Sequence, residues 1–241
     1  MIALLRYQAA ILLRSHRWIF PLIAYGALIA VGAAGSTPLA EGLDWGAAML
    51  VPVVAFVTRS MLTAEPDAAR ACAAAAAGPV RAQLAALLTA LGAGVVLAIG
   101  GACVEVLSSE TASNVNPPPA GVGVKITALA GHPAILAAGL ATAAVCLLVG
   151  SAVGALCNPP LLRHPGAAML ATLAVAVFAL ASGVSPAGAA LRESSAAQSQ
   201  PRAAHWPGGV PLAAAACLLA VTWTASTYAA ARRESRSPGA A

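Results

Sequence analysis

The chain has 241 residues, of which 60% are hydrophobic and only 9% charged, with a mean hydropathy of +0.83; water-soluble domains keep about a quarter of their residues charged, so a soluble fold is excluded. The formal charge of +5 does not mark a nucleic-acid binder, because the basic residues are scattered near the ends of apolar runs and aromatics make up only 4%. Each membrane crossing takes about 20 apolar residues plus a connection, so the expected fold class is all-α: a polytopic membrane protein with six transmembrane helices and an N-terminal interfacial helix.

Residues 1–17 place Arg6, Arg14 and Arg17 within one side of a helix, with Ile2, Leu5, Ala9 and Leu12 on a neighbouring face. Leu4 and Ile11 interrupt the polar face, leaving a moderately amphipathic helix suited to the membrane surface. A secretory signal is the competing reading, since a small-residue motif follows at Ala33-Ala34-Gly35. Spans are expected over about 18–34 and 45–62, joined by a polar connection with Pro38, Glu41 and Asp44. The stretch from Thr63 to Arg81 holds Glu65, Asp67, Arg70 and Arg81; Pro66 is placed to begin a short helix and Gly78-Pro79 to end it, too short to cross.

Further spans are expected over about 83–107, 134–156, 166–184 and 210–231, completing a transmembrane domain over 18–231 with a tail at 232–241. Polar loops are expected between the third and fourth spans, around Asn114, Asn116 and Pro117-Pro118-Pro119, and again over 185–209, which is rich in Ser, Gln and Pro. Asn158-Pro159-Pro160 marks a tight turn between spans four and five. With the N-terminus in the cytoplasm, Arg6, Arg14, Arg17, Arg59, Arg70, Arg81, Arg163, Arg232, Arg233 and Arg236 lie inside, against Lys125, Arg192 and Arg202 outside. The positive-inside rule therefore selects cytoplasmic N- and C-termini. Trp18, Trp45, Trp206 and Trp223 lie mostly towards span ends, where indole rings favour the interface.

The chemistry that is missing narrows the function. The only lysine, Lys125, is followed by isoleucine, so there is no phosphate-binding loop, which needs lysine followed by Ser or Thr after glycine-rich backbone. Ion-coupled carriers keep an ionisable group at mid-membrane, whereas Asp44, Arg59 and Glu105 fall near span ends, where snorkelling accounts for them. His16, His132, His164 and His205 are scattered, and the five cysteines form neither a CxxC pair nor a His/Cys cluster. The cysteines read as small packing residues, with a bridge between Cys103 and Cys217 left open. Ser151 has no evident base, and Gly150-Ser151-Ala152-Val153-Gly154 reads as close helix packing. The chain is expected to be no enzyme, to bind no metal or cofactor, and to draw any energy from another polypeptide.

Ala64-Glu65-Pro66-Asp67 followed by Ala77-Gly78-Pro79-Val80-Arg81 resembles the connection after span two in the membrane subunits of ABC-2-type exporters: an acidic residue some dozen positions before a Pro-Val-x-Arg-like turn leading into span three. Here alanines stand where that helix is usually bulkier. Pro160-Leu161-Leu162-Arg163-His164-Pro165-Gly166 is similar to actinobacterial members of the group. The resemblance implies a permease subunit with cytoplasmic ends and an N-terminal interfacial helix, paired with a second permease, identical or homologous. Separate ABC ATPase subunits would carry ATP and Mg. It further implies that Glu65, Asp67, Arg70 and Arg81 meet the ATPase, while Arg6, Arg14 and Arg17 sit on the interfacial helix in the cytoplasmic membrane. Walls of Ala, Val, Leu and Gly suit an apolar or amphipathic cargo. A membrane anchor or scaffold, and an ion-driven carrier or channel, are the alternatives.

Overall fold

A computed structural model describes residues 1–16, 18–33, 38–108, 133–157, 165–199 and 209–235. Helices account for nearly all of them: α1 (Ile2–Arg14), α2 (Ile19–Ala33), α3 (Leu39–Leu62), α4 (Asp67–Ala77), α5 (Pro79–Ser108), α6 (Pro133–Leu156), α7 (Pro165–Ala181), α8 (Pro186–Ser199) and α9 (Gly209–Ser235). No strand occurs among the described residues, as expected where hydrocarbon offers backbone groups no partner outside the segment itself. Among the described residues four helices are long and apolar enough to cross a membrane: α3, α5, α6 over Ala134–Leu156 and α9 over Gly209–Ala229. A fifth crossing is made if α7 and α8, bent by 41° at their junction, form one broken span. The chain is thus a multi-pass helical membrane protein. At 15 residues, α2 spans only about 22 Å, less than the hydrocarbon thickness, so the expected first span is present as a helix but short.

Helix starts lie earlier than the apolar runs. Pro38 caps α3, bringing Glu41 and Asp44 from an expected connection into the helix, where Glu41 in the first turn complements the dipole. Pro79 opens α5 directly after Gly78, four residues ahead of the expected boundary; the fixed φ of proline suits this first position and its missing N–H costs nothing there. Gly78 itself ends α4 at φ 86, a backbone that side chains with a Cβ rarely adopt.

The expected polar loop over 185–209 is corrected for its first half. Residues 186–199 form α8, whose Ala content gives it strong intrinsic propensity. Ala187 and Ala190 are buried with Ala176 and Ala179 of α7 and Val145 of α6. The Arg192 guanidinium donates to the Gly183 carbonyl beyond the end of α7, and the Ser194 hydroxyl donates to the Asp44 carboxylate of α3 at 2.6 Å.

The bundle is organised around α3, two-thirds of whose apolar window is buried, against 17% for α9. Helix α6 runs parallel to it and very close: a Cβ added at Gly150 would stand 2.7 Å from the Val51 carbonyl oxygen, and one at Gly154 would stand 2.5 Å from that of Ala55. This is the small-residue contact that the Gly-x-x-x-Gly spacing predicts. Helix α5 runs antiparallel to α3, setting Gly94 against Val54 and Glu105 near Gly46. Helix α2 is also antiparallel, with Phe20 against Phe56 and the Tyr25 hydroxyl donating to the Gly46 carbonyl. Helix α9 closes the bundle through Ala215 and through Trp223, which packs on Leu62, Leu87 and Ala155; the Trp223 N–H is buried inside the protein.

Forcing a branched side chain into the α3–α6 contact should separate the two backbones. Gly154→Val is expected to cost at least about 1–3 kcal/mol, read as a lower melting temperature of the detergent-solubilised protein. Gly92→Ala, where an added Cβ meets nothing within 4 Å, should leave it unchanged.

Candidate functional site

The segment after α3 turns sharply and is held at both ends of the turn. Thr63 closes α3, its N–H bonding to the Arg59 carbonyl and its hydroxyl donating to the same oxygen at 3.1 Å. Pro66, extended at ψ 147, then launches α4. From the second turn of α4, Arg70 reaches back and donates through Nη2 to the carbonyls of Leu62 at 2.9 Å and Glu65 at 3.2 Å. A cation there satisfies terminal carbonyls and the negative end of the α3 dipole.

Glu65 points inward. It is 9% exposed and accepts a long hydrogen bond from Gln8 Nε2 of α1 at 3.4 Å; its other oxygen, Oε1, is buried with no hydrogen-bond partner. Gln8 is itself only 2% exposed. Tyr7 lies beside the same carboxylate, and its hydroxyl is pushed above the ordinary phenol value by desolvation first and by the Glu65 charge second. Leu4, Leu5, Ala9, Ile11 and Leu12 flank Gln8 on the partly buried side of α1, while Ile2, Arg6, Leu13 and Arg14 are exposed. Leu4 and Ile11 therefore belong to the packed face and do not interrupt a polar one, and Ile2 leaves the apolar face for the surface.

Of the four residues expected to meet a partner, the structure turns two to internal duty, Glu65 towards α1 and Arg70 towards α3. Arg81 is exposed in the first turn of α5, where a cation gains nothing from the helix dipole. Asp67 is the first residue of α4. Arg17 lies outside the described residues, as do Lys125, Arg163, Arg202 and Arg236. The outward surface of α4 consists of Ala68, Ala71, Cys72, Ala75 and Ala76, with Ala74 buried. An open groove of about 350 Å³ runs along α1 beside Tyr7, Ile11 and Arg14. Sequence reasoning missed Tyr7 and Gln8. The available signal was a lone glutamine with leucines four residues to either side.

Charge is distributed unequally over the two ends of the bundle. The end carrying α1, α4 and the C-termini of α3 and α9 holds Arg6, Arg14, Arg59, Arg70, Arg81, Arg232 and Arg233; the other end holds Arg192 together with Glu41, Asp44, Glu105 and Glu193. Snorkelling does not describe the charged residues within the helices: Arg59 is buried, Glu105 is 3% exposed, and Asp44 is bonded to Ser194. Among the described residues no three His, Cys, Asp or Glu side chains gather as a metal site requires. All five cysteines are free, Cys146 and Cys157 buried and Cys72, Cys103 and Cys217 exposed, so the bridge left open between Cys103 and Cys217 is not made. The Ser151 hydroxyl is spent on the Leu148 carbonyl of its own helix.

These features define a helical multi-pass membrane protein with a short non-crossing helix clamped at its basic end. Comparison with protein families, curated proteins and solved structures returns no match.

Removing the clamp should loosen α4 without unfolding the bundle. Arg70→Ala is expected to cost about 1.5–3 kcal/mol locally, the range for hydrogen bonds from a charged group, and to speed limited proteolysis between residues 63 and 78. In a background of Tyr25→Phe and Tyr228→Phe, Glu65→Gln removes the carboxylate charge and should lower the Tyr7 titration midpoint towards that of a free phenol, measured by tyrosinate absorbance.

Proposed function

We propose that this chain is the permease subunit of an ATP-driven exporter of the ABC-2 type, moving an apolar or amphipathic molecule across the cytoplasmic membrane with energy from a separate ATPase. The observation that carries the reading is the construction of the basic end: a helix too short to cross, joined to α3 by Arg70 and to α1 through Glu65, with a smooth alanine surface facing outward. A helix held in this way moves as one piece with α1 and the end of α3. It can pass a push from a partner into the bundle.

In this reading α2, α3, α5, α6, the α7–α8 pair and α9 make six passes of alternating direction, with both termini on one side. The seven described arginines at that side support a cytoplasmic location for it by the positive-inside rule. Helix α1, with Arg6 and Arg14 exposed, lies along the membrane surface. The docking contacts shift from those the resemblance implied: Arg81 and the alanine face of α4 meet the ATPase, Asp67 begins that helix, and Glu65 and Arg70 hold the face in place. ATP and Mg act on the partner, and a second permease, identical or homologous, completes the path. The buried Glu105 favours an ion-driven carrier as the second reading.

A pull-down from native membranes should bring down an ATPase, and Arg81→Glu should weaken that association at least about tenfold, since like-charge or lost charge pairing at an interface costs several kcal/mol. Recovery of no ATPase in the presence of intact protein would leave the carrier reading in its place. In a background with the other cysteines removed, Cys72 and an Arg233→Cys variant should both react with an impermeant maleimide only in inverted vesicles; reaction from opposite sides overturns the topology.

A further inference from the structure

Glu105 is the least explained charged residue in the bundle. It sits one turn from the end of α5, 3% exposed, and its Oε1 is buried with no hydrogen-bond partner. Together with Tyr25 of α2, Gly46 of α3 and Gly139 and Leu140 of α6, it lines a cavity of about 10 Å³. Such a space is at or below the volume needed for a single water. Four helices thus converge on one carboxyl group, and among the described residues no donor reaches its buried Oε1.

The groups facing it decide what it can hold. From α2 comes Tyr25, whose hydroxyl is spent on the Gly46 carbonyl at 3.3 Å. From α3 come Leu43, Gly46 and Ala47; Asp44, one position from Leu43, turns to Ser194 of α8. From α6 come Gly139, Leu140 and Ala143, with Cys146 a turn further on as its titratable group. Arg192, the basic residue of this end among the described residues, is bonded to the Gly183 carbonyl. Among the described residues no cation lines the cavity. A metal ion would need several oxygen ligands, and among the described residues the side chains lining the cavity offer one carboxylate and the Tyr25 hydroxyl, the rest being aliphatic or glycine. A lone carboxylate in such surroundings is far costlier than the neutral acid.

We propose that Glu105 is a proton-binding site: the acid is neutral while α2, α3, α5 and α6 are packed together, and it releases its proton when these helices part and water enters. In the exporter reading this ties the proton to opening at the end opposite α4; in the carrier reading it is the coupling site. The proposal depends on neither, because it concerns the occupancy of one side chain.

The test is reaction of the full-length protein in lipid vesicles with the membrane-soluble reagent dicyclohexylcarbodiimide. The reagent attacks only the protonated acid: the proton passes to a carbodiimide nitrogen as the carboxyl oxygen bonds to the central carbon, and acyl migration to nitrogen leaves a stable N-acylurea. Peptide mass spectrometry should find the adduct on Glu105, falling about tenfold per pH unit above its midpoint. A water-soluble carbodiimide should instead modify the exposed Glu41. Absence of the adduct on Glu105 at every pH, or its protection by added sodium at constant pH, overturns the proposal, the second by assigning a metal ion.

A second readout uses stability. If the packed protein holds a proton that the unfolded chain releases near the ordinary glutamate value of about 4.3, the folded state binds more protons above that pH, and stability falls as pH rises. The wild-type melting temperature should therefore decline from pH 5 to pH 8, and Glu105→Gln, a neutral mimic of the acid, should abolish that decline. A decline of equal size in the variant counts against the proposal. Should Glu105→Gln not fold, the labelling of the wild type decides alone.

Discussion

The approach of α6 to α3 at Gly150 and Gly154 is the contact on which the rest of the bundle depends. In hydrocarbon there is no gain from hiding one aliphatic surface against another, since lipid tails are as apolar as leucine. Helices must therefore associate through close van der Waals fit. A Cβ at either glycine would press on the α3 backbone itself, so the two helices meet at a distance only glycine permits. With α6 pressed along one side, α3 presents its remaining faces to α2, α5, α7 and α8, while α1 and α4 pack on α5 and α9 packs on α5, α6 and α8.

Polar side chains inside this bundle are few and mostly local in what they do. Hydroxyls of Thr142, Ser151 and Thr172 return to carbonyls of their own helices, which removes their cost without joining elements. Among the described residues the polar contacts that do join elements include Gln8 with Glu65, Arg70 with Leu62, Tyr25 with Gly46, Trp45 with Leu28, and Ser194 with Asp44. They lie towards the two ends. The middle is held by shape alone, which leaves the ends free to carry charge and, with it, whatever chemistry the protein conducts.

Much of the architecture was legible because hydrocarbon imposes a strict rule on sequence: apolar runs near span length at 83–107, 134–156 and 210–231 all became helices within a few residues. The Gly78-Pro79 boundary was legible for a local reason, the positive φ that ends one helix and the fixed φ that starts the next. Helix α8 was not, because its Ser and Gln content resembles a loop while its position rests on Asp44, 150 residues away. Glu65 was legible as an acidic turn residue, but not as an inward one; its direction follows from where α1 lies, which local spacing does not encode. Glu105 was read by its nearness to a span end, and only the convergence of α2, α3 and α6 encloses it.

Arg70 and Arg192 do the same job at opposite ends, each closing the helix that precedes its own. The separations are short, eight residues from Arg70 to Leu62 and nine from Arg192 to Gly183. Closing so small a loop sacrifices little chain entropy. Each corner can therefore lock as soon as its own stretch has been synthesised, before later helices exist to support it. The growing polypeptide carries its hinges ready-made, and helices that arrive last need only find a frame whose corners are already square.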